Sequence, residues 1–423
     1  MPAWSRLCLG FLVLLTTTSM SSAEDWPGWR GPRGDGRSLD EQPPLKWNGS
    51  TGENVAWKTP IPGVGHASPI VWQDRVFVTS CLEDNDARVL IALDRDTGKV
   101  LWQQTVLAAP LEKRHKLNSR ASGTPVTDGR MVYVSFLEPD FASDNERTPG
   151  DLVVAAYNFA GERQWLVRPG RFASTHGFCS SPVLFEDFVI VNGDHDGDSY
   201  VVALDKATGD ARWKFDRKHK TRSYVTPIIR EIDGRTQLLM SGSKCVVSLD
   251  PRTGKEHWEI DGPTEQFVAS MVYNGKYAFL TAGFPDKHVL AIKPDGRGNV
   301  TDTHIAWRAN RNCSYVPSPV ICGDYFLVAS DEGITSCYVA DTGERLWFER
   351  MAPHYSASLV STAGGLVYLL ADDGVTKIVR PGKEYDRVAE NELGESCYAS
   401  PAISDGQMFI RSDRHLYAIG QRH

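Results

Sequence analysis

The sequence has no strong charge of either sign. Its 423 residues carry 46 Lys and Arg against 53 Asp and Glu, a net charge of −7. That balance gives no reason to expect nucleic acid or an acidic membrane surface as a partner. Cysteine is scarce, 8 in all, and its spacing shows neither Cys-x-x-Cys nor a zinc pattern. Cys245, Cys322 and Cys337 stand in apolar strand contexts and read as buried, inert thiols. Long apolar runs are absent: Cys8 to Leu15 is too short to span a bilayer, and nothing later is longer. There is no P-loop, no Gly-x-Ser-x-Gly elbow and no His-Glu-x-x-His, which weakens kinase and hydrolase readings. The short apolar run, with Arg6 before it and Ser21-Ser22-Ala23 after it, reads as a secretory signal over residues 1–23. No cysteine follows the cleavage site, so a lipoprotein anchor is not supported; the mature chain is expected to be periplasmic or extracellular.

What the sequence has in abundance is repetition. Ala92-Leu93-Asp94 through Thr97-Gly98 to Trp102 recurs at Ala203 to Trp213, Ser248 to Trp258 and Val339 to Trp347, with a weaker copy ending at Trp165. In each the tryptophan stands four residues after the glycine. The apolar run predicts a strand, Asp-x-x-Thr-Gly a tight turn with a positive-φ glycine, and the residues up to Trp a returning strand. The other half of the unit opens with Ser68-Pro69, Thr124-Pro125, Ser181-Pro182, Thr226-Pro227, Ser318-Pro319 and Ser400-Pro401, with degenerate copies near Ala269 and Ala357. Two hairpins per unit make a four-stranded blade, and the starts number eight.

The expectation is therefore an all-β, eight-bladed β-propeller of four-stranded antiparallel blades. Residues 24–53 form an N-terminal extension and residues 54–423 the propeller. The last blade has room for only three strands; Asn54 to Thr59 supplies the fourth, closes the ring and removes the open sheet edge. Trp57 would then stand with Trp102, Trp165, Trp213, Trp258, Trp307 and Trp347 as packing anchors between blades. Blade 7 lacks its tryptophan, and blade 5 has a longer turn before Trp307. A closed ring of this kind is expected to be monomeric.

The Asp-x-x-Thr-Gly-x-x-x-Trp unit followed by a Ser/Thr-Pro strand resembles the pyrroloquinoline quinone (PQQ) repeat, over about residues 54–420. The resemblance implies the propeller fold and two kinds of role. Quinoprotein dehydrogenases hold PQQ and calcium in the central funnel, under adjacent disulfide-bonded cysteines; this chain has no adjacent cysteines and no long roofing insertions. BamB-like outer-membrane assembly scaffolds use the same repeat as a platform without a cofactor, and the bare layout here is more similar to them. The expected function is non-catalytic binding or scaffolding through the funnel and top loops, with a protein, peptide or glycan partner, no nucleic acid and no cofactor. The alternative is a PQQ-dependent dehydrogenase with a reduced cofactor site holding PQQ and calcium.

The loops entering the innermost strands should rim the funnel mouth. Two residues before each strand start stand His66, Ser122, Cys179, Tyr224, Phe267, Val316, Tyr355 and Tyr398. Neighbours add Asn118, Arg120, His176, Arg222, Glu265, Asn312, Tyr315, His354 and Cys397. The ligand-site candidates drawn from these are His66, Asn118, Arg120, His176, Cys179, Arg222, Tyr224, Glu265, Asn312, Tyr315, His354, Tyr355 and Tyr398. No metal is expected, because His66, His176 and His354 fall in separated blades. Cys179 near His176 is a nucleophile-and-base lead. Gly193 to Ser199, rich in aspartate, reads as a polar turn rather than a calcium loop. Trp26-Pro27-Gly28-Trp29 is expected to pack on the blades, since exposed aromatics are unfavourable in a secreted protein.

Overall fold

The computed structural model describes residue 1, residues 24–143 and residues 146–422. The expected signal segment, apart from Met1, lies outside the described residues. Eight sheets follow one another in chain order around an axis. Blade 1 runs over Ile70–Trp72, Arg75–Leu82, Ala87–Asp94 and Val100–Ala108, and each later blade repeats this antiparallel meander from axis to rim. The only helical element among the described residues is a short 3₁₀ turn, Glu83–Asn85.

The ring closes between the two ends of the chain. Val55–Pro60 pairs antiparallel with His415–Ile419, placing Trp57 opposite Ala418. The outer-strand tryptophans share this register: each faces a small residue on the third strand, such as Ala92, Ala156, Ala203 or Cys337. The small partner leaves room for the indole to lean onto the next blade. There it meets the turn glycine. A Cβ on Gly98 would come within 2.5 Å of Trp57, and φ there is +68°, so both the turn and the close approach require glycine. The indole Nε1 donates into the same turn: Trp57 to Arg95 O (2.7 Å), Trp102 to Phe159 O (2.9 Å), Trp165 to Lys206 O (2.9 Å), Trp213 to Pro251 O (3.0 Å), Trp258 to Pro294 O (3.1 Å), Trp307 to Ala340 O (2.9 Å) and Trp347 to Gly382 O (3.1 Å).

Two blades gain a fifth, parallel strand. The long turn of blade 5 lays Gly298–Asn299 along the outer strand of blade 4. The extension lays Arg37–Ser38 along the innermost strand of blade 7. In blade 7 the register position of the tryptophan holds Ala389, opposite Ile378. Here the extension supplies an indole from outside the repeat. Trp47, 2% exposed, joins the core with Ile378, Leu393 and Ala389. Asn391 fixes it by accepting from Trp47 N (2.9 Å) and donating to Leu45 O (3.0 Å).

Candidate functional site: the central funnel

At the neck of the funnel the blades are linked by a girdle of hydroxyls. The backbone N–H of each strand start donates to the side-chain oxygen of the next: Ser68 to Thr124 (3.0 Å), Thr124 to Ser181 (2.9 Å), Ser181 to Thr226 (3.2 Å), Thr226 to Ser270 (3.3 Å), Ser270 to Ser318 (2.9 Å), Ser318 to Ser358 (2.9 Å) and Ser358 to Ser400 (2.8 Å). The girdle is open at one place, where the Ser68 hydroxyl has no partner. The feature common to all eight starts is thus the hydroxyl, and the proline is secondary. This corrects the alignment of the two degenerate copies. Their strand starts are Ser270 and Ser358, so the wall positions two residues earlier are Val268 and Ser356. Phe267 and Tyr355 sit one residue out of register, and the two-residue period of an extended chain turns them away from the axis. Both are buried among neighbouring blades, Phe267 at 0% and Tyr355 at 1% exposure.

Beneath the girdle the channel is closed by the extension. Trp26 pairs with Val71 of blade 1 through two 2.9 Å backbone bonds, and Pro27 O accepts from Thr127 N of blade 2. Trp29 Nε1 donates to Ser270 Oγ of blade 5 (3.1 Å), and Arg30 to Pro319 O of blade 6. Arg230 of blade 4 reaches Arg33 O, and Ser361 N of blade 7 donates to Gly36 O. Such tight winding demands glycine: a Cβ on Gly36 would lie 2.4 Å from the Arg30 guanidinium and 2.9 Å from Leu359 O. Trp26 is fully buried, while Trp29 lines the cavity from the extension side and forms its floor.

The cavity above encloses about 550 Å3. Nine of the thirteen candidates line it: His66, Asn118, His176, Cys179, Arg222, Tyr224, Tyr315, His354 and Tyr398. Four do not. Arg120 is buried under the blade 2 loop, bonded to Glu112 O and Glu83; Glu265 pairs with Lys244 on the outside (3.2 Å). Asn312 stands in a left-handed turn (φ 55°) off the wall. Tyr355 is the register error described above. The lining also includes residues that sequence reasoning passed over: Trp29, His115, Leu117, Gln266, Phe284 and Asp331. Only Trp29 had a signal, its place in an aromatic segment outside the repeat. Asp331 and Phe284 come from loops between second and third strands, which the count of strand starts does not reach.

The charges on the wall are internally answered. Arg222 Nη1 holds both oxygens of Asp196 (2.9 and 3.0 Å), which comes from the aspartate-rich turn. The other acids of that turn pair likewise, Asp194 with Arg217 (3.0 Å) and Asp198 with Lys220 (2.5 Å). Asp331 accepts the backbone N–H groups of Tyr315 (2.8 Å) and Val316 (2.9 Å); burial raises its carboxyl above the ordinary value despite them. His354 Nδ1 lies 2.7 Å from Asp372. Burial, then Arg411 and Arg114, lower the His66 imidazole to about 4, so it is neutral at pH 7. Its ring packs against Tyr398, with centroids 4.6 Å apart and planes tilted by 32°. His176 is lowered by burial and by Arg222, and its Nδ1 is engaged by the Tyr224 hydroxyl (2.9 Å).

That last bond decides the nucleophile lead. Burial pushes the Cys179 thiol up to about 12, and the nearby imidazole faces Tyr224 instead. A protonated thiol without a base is not a nucleophile. Cys313 and Cys397 are fully buried and also raised, chiefly by desolvation. All seven cysteines among the described residues are free thiols.

The comparisons fit this architecture. The profile of the family described as outer membrane protein assembly factor BamB matches residues 44–137 and 92–275, more than half of the chain. The chain belongs to this family of PQQ-like propellers. BamB from Moraxella catarrhalis aligns with a TM-score of 0.62 at 14% identity, over 87% of this chain and 99% of that one. Quinohemoprotein alcohol dehydrogenase from Comamonas testosteroni aligns with a TM-score of 0.65 at 12% identity, over 94% of this chain and 81% of that one. Identities this low establish the shared fold and nothing finer. No curated protein matches the sequence significantly. No helix among the described residues is long and apolar enough to cross a membrane.

Proposed function

We propose that this propeller is an exported, non-catalytic binding protein that takes a ligand, or the end of a larger partner, into its central funnel, with the top loops as the surrounding contact surface. The observation carrying this reading is the blind cavity: the chain closes its own channel with Trp29 and leaves one mouth, walled by unlike side chains from different blades. A cavity of this size, with aromatic faces set among hydroxyl, amide and imidazole groups, has the character of a ligand site. The thiol, imidazole and carboxylate groups on the wall are engaged with neighbours rather than arranged as nucleophile and base.

The donor set fits PQQ with calcium poorly. Calcium takes six to eight oxygen ligands. Asp331 is the one carboxylate among the residues lining the wall, it already accepts a backbone amide on each oxygen, and no cluster of three His, Cys, Asp or Glu able to hold a metal exists among the described residues. Thermal-shift screening of a small-molecule, glycan and peptide library tests the binding reading. Hits should disappear in Val268→Trp, which fills the cavity from blade 5 while leaving the fold intact. Hits that survive that change would place binding elsewhere. Addition of PQQ and calcium should give no dye reduction on a panel of alcohols and sugars; turnover would replace the binding reading with the dehydrogenase one.

A further inference from the structure

We propose that the funnel is a site for the end of a neutral oligosaccharide, with one sugar ring seated on the face of Trp29. The inference rests on the funnel being the binding site and adds the chemistry of what enters it.

A sugar ring has two kinds of surface: flat patches of C–H and an equator of hydroxyls. A site for it needs aromatic faces and uncharged hydrogen-bonding groups in one cavity, and the funnel provides both. Trp29 forms the floor, its orientation set by the 3.1 Å bond from Nε1 to Ser270. Tyr398 and His66 form a tilted ring pair on the wall of blades 8 and 1. Tyr315 and Phe284 stand on the wall of blades 5 and 6. Such faces favour flat apolar groups over flexible chains.

Several of the free polar groups are neutral. Gln266, on the cavity lining, takes the Tyr315 hydroxyl on Oε1 (3.1 Å), and its amide nitrogen has no protein partner. The Tyr398 hydroxyl has no protein partner. In the girdle, Ser181, Ser358 and Ser400 each accept one backbone N–H, and their own hydroxyl protons remain to be donated into the neck.

The charged groups are already partnered within the protein. Arg222 is bonded to Asp196 through Nη1, and Asp331 accepts one backbone amide on each oxygen. Arg411 lies behind the wall, donating to Thr79 O and the Ser80 hydroxyl. An anionic ligand would meet Arg222 with the Asp196 carboxylate beside it, and a cationic ligand would meet one carboxylate already shared with two amides. A polyhydroxylated neutral ligand has a partner for each kind of free group on the wall.

The test is an array of neutral and acidic oligosaccharides probed with the full chain, then calorimetric titration with the array hits and with maltotriose, cellotriose and chitotriose. At least one neutral oligosaccharide should bind saturably. Its affinity should change less than about twofold between 50 and 500 mM NaCl, since no ion pair is made. Trp29→Ala should weaken it about tenfold, and Trp29→Phe, which keeps a flat face, less. Tyr398→Ala acts on the wall rather than the floor; it should weaken binding several-fold even if Trp29→Ala fails to fold. Binding of acidic glycans alone with strong salt dependence, or no glycan binding at all, overturns the proposal. A peptide or other non-carbohydrate ligand excluded by Val268→Trp removes the sugar class but keeps the funnel as the site. A glycan that still binds Val268→Trp removes both.

Discussion

Along every innermost strand, two residues separate the neck of the funnel from its mouth. At the neck the eight positions all carry hydroxyls, linked blade to blade through Ser68, Thr124, Ser181 and their equivalents. At the mouth the same strands present His66, Ser122, Cys179, Tyr224, Val268, Val316, Ser356 and Tyr398. The neck is uniform because every blade must satisfy the same buried backbone N–H against its neighbour, and one short side chain does this best. The mouth is free of that demand. In this propeller repetition therefore marks architecture, and the layer where repetition stops is the surface free to vary. A second pairing makes the same point at the rim: seven blades carry their own tryptophan, and blade 7 borrows Trp47 from the extension.

The strongest challenge to this division is removal of residues 24–53. The extension is both channel floor and anchor of blade 7, so the deletion should lower the thermal midpoint by about 10 °C or more, or abolish soluble folding. A deletion variant that melts with the full chain would show that the extension is only laid over a finished ring. Next in size is Trp47→Ala, expected to cost about 3–5 kcal/mol, as for other large aromatics removed from a core. Denaturant unfolding should rank it with Trp258→Ala, a repeat tryptophan also fully buried. A cost below about 1 kcal/mol would mean that Ala389 leaves no gap for Trp47 to fill.

The seam between blades 7 and 8 gives a pH-dependent test. Burial would raise the Glu395 carboxyl, but bonds from Lys58, Ser412 and His415 hold it at about 2. A depressed carboxyl contributes stability that is present above its ordinary value near 4.5 and lost as pH falls toward 2. Glu395→Gln should cost about 2 kcal/mol at pH 7 and flatten the stability profile between those pH values. An unchanged acid profile would assign the acid sensitivity to other groups. The smallest effect separates two serines at equivalent places. Ser181→Ala leaves the Thr124 N–H without its acceptor and should cost about 1 kcal/mol. Ser68→Ala, at the open link, should fall within about 0.5 kcal/mol of the parent protein. Equal losses would mean that the girdle is continuous in solution.

Much of this was legible in the chain itself. A turn glycine four residues before a tryptophan is a local pattern, and eight strand starts with one strand missing at the end fix both the blade count and the closure by Val55–Pro60. Of the nine candidates that line the cavity, His66, Cys179, Tyr224 and Tyr398 were reached by counting two residues back from a Ser/Thr start, and the other five are their loop neighbours. The four misplaced ones show where counting fails. Tyr355 lay one residue out of register because the hydroxyl, not the apolar run, defines the start. Arg120, Glu265 and Asn312 are in the right loops, but side-chain direction in a loop depends on partners such as Glu83 and Lys244 that are remote in sequence.

The sequence by itself determined the repeat, and with it the fold, because each blade is a short-range pattern of turn, small residue and indole. Only the tertiary structure decided what fills the places the repeat leaves empty. Trp29 at the floor, Trp47 in blade 7, and Asp331 and Phe284 on the wall each reach their positions through contacts hundreds of residues away or through loops without a motif. No local rule encodes such contacts; they exist only once the ring has closed and created the channel and the gap that these residues occupy.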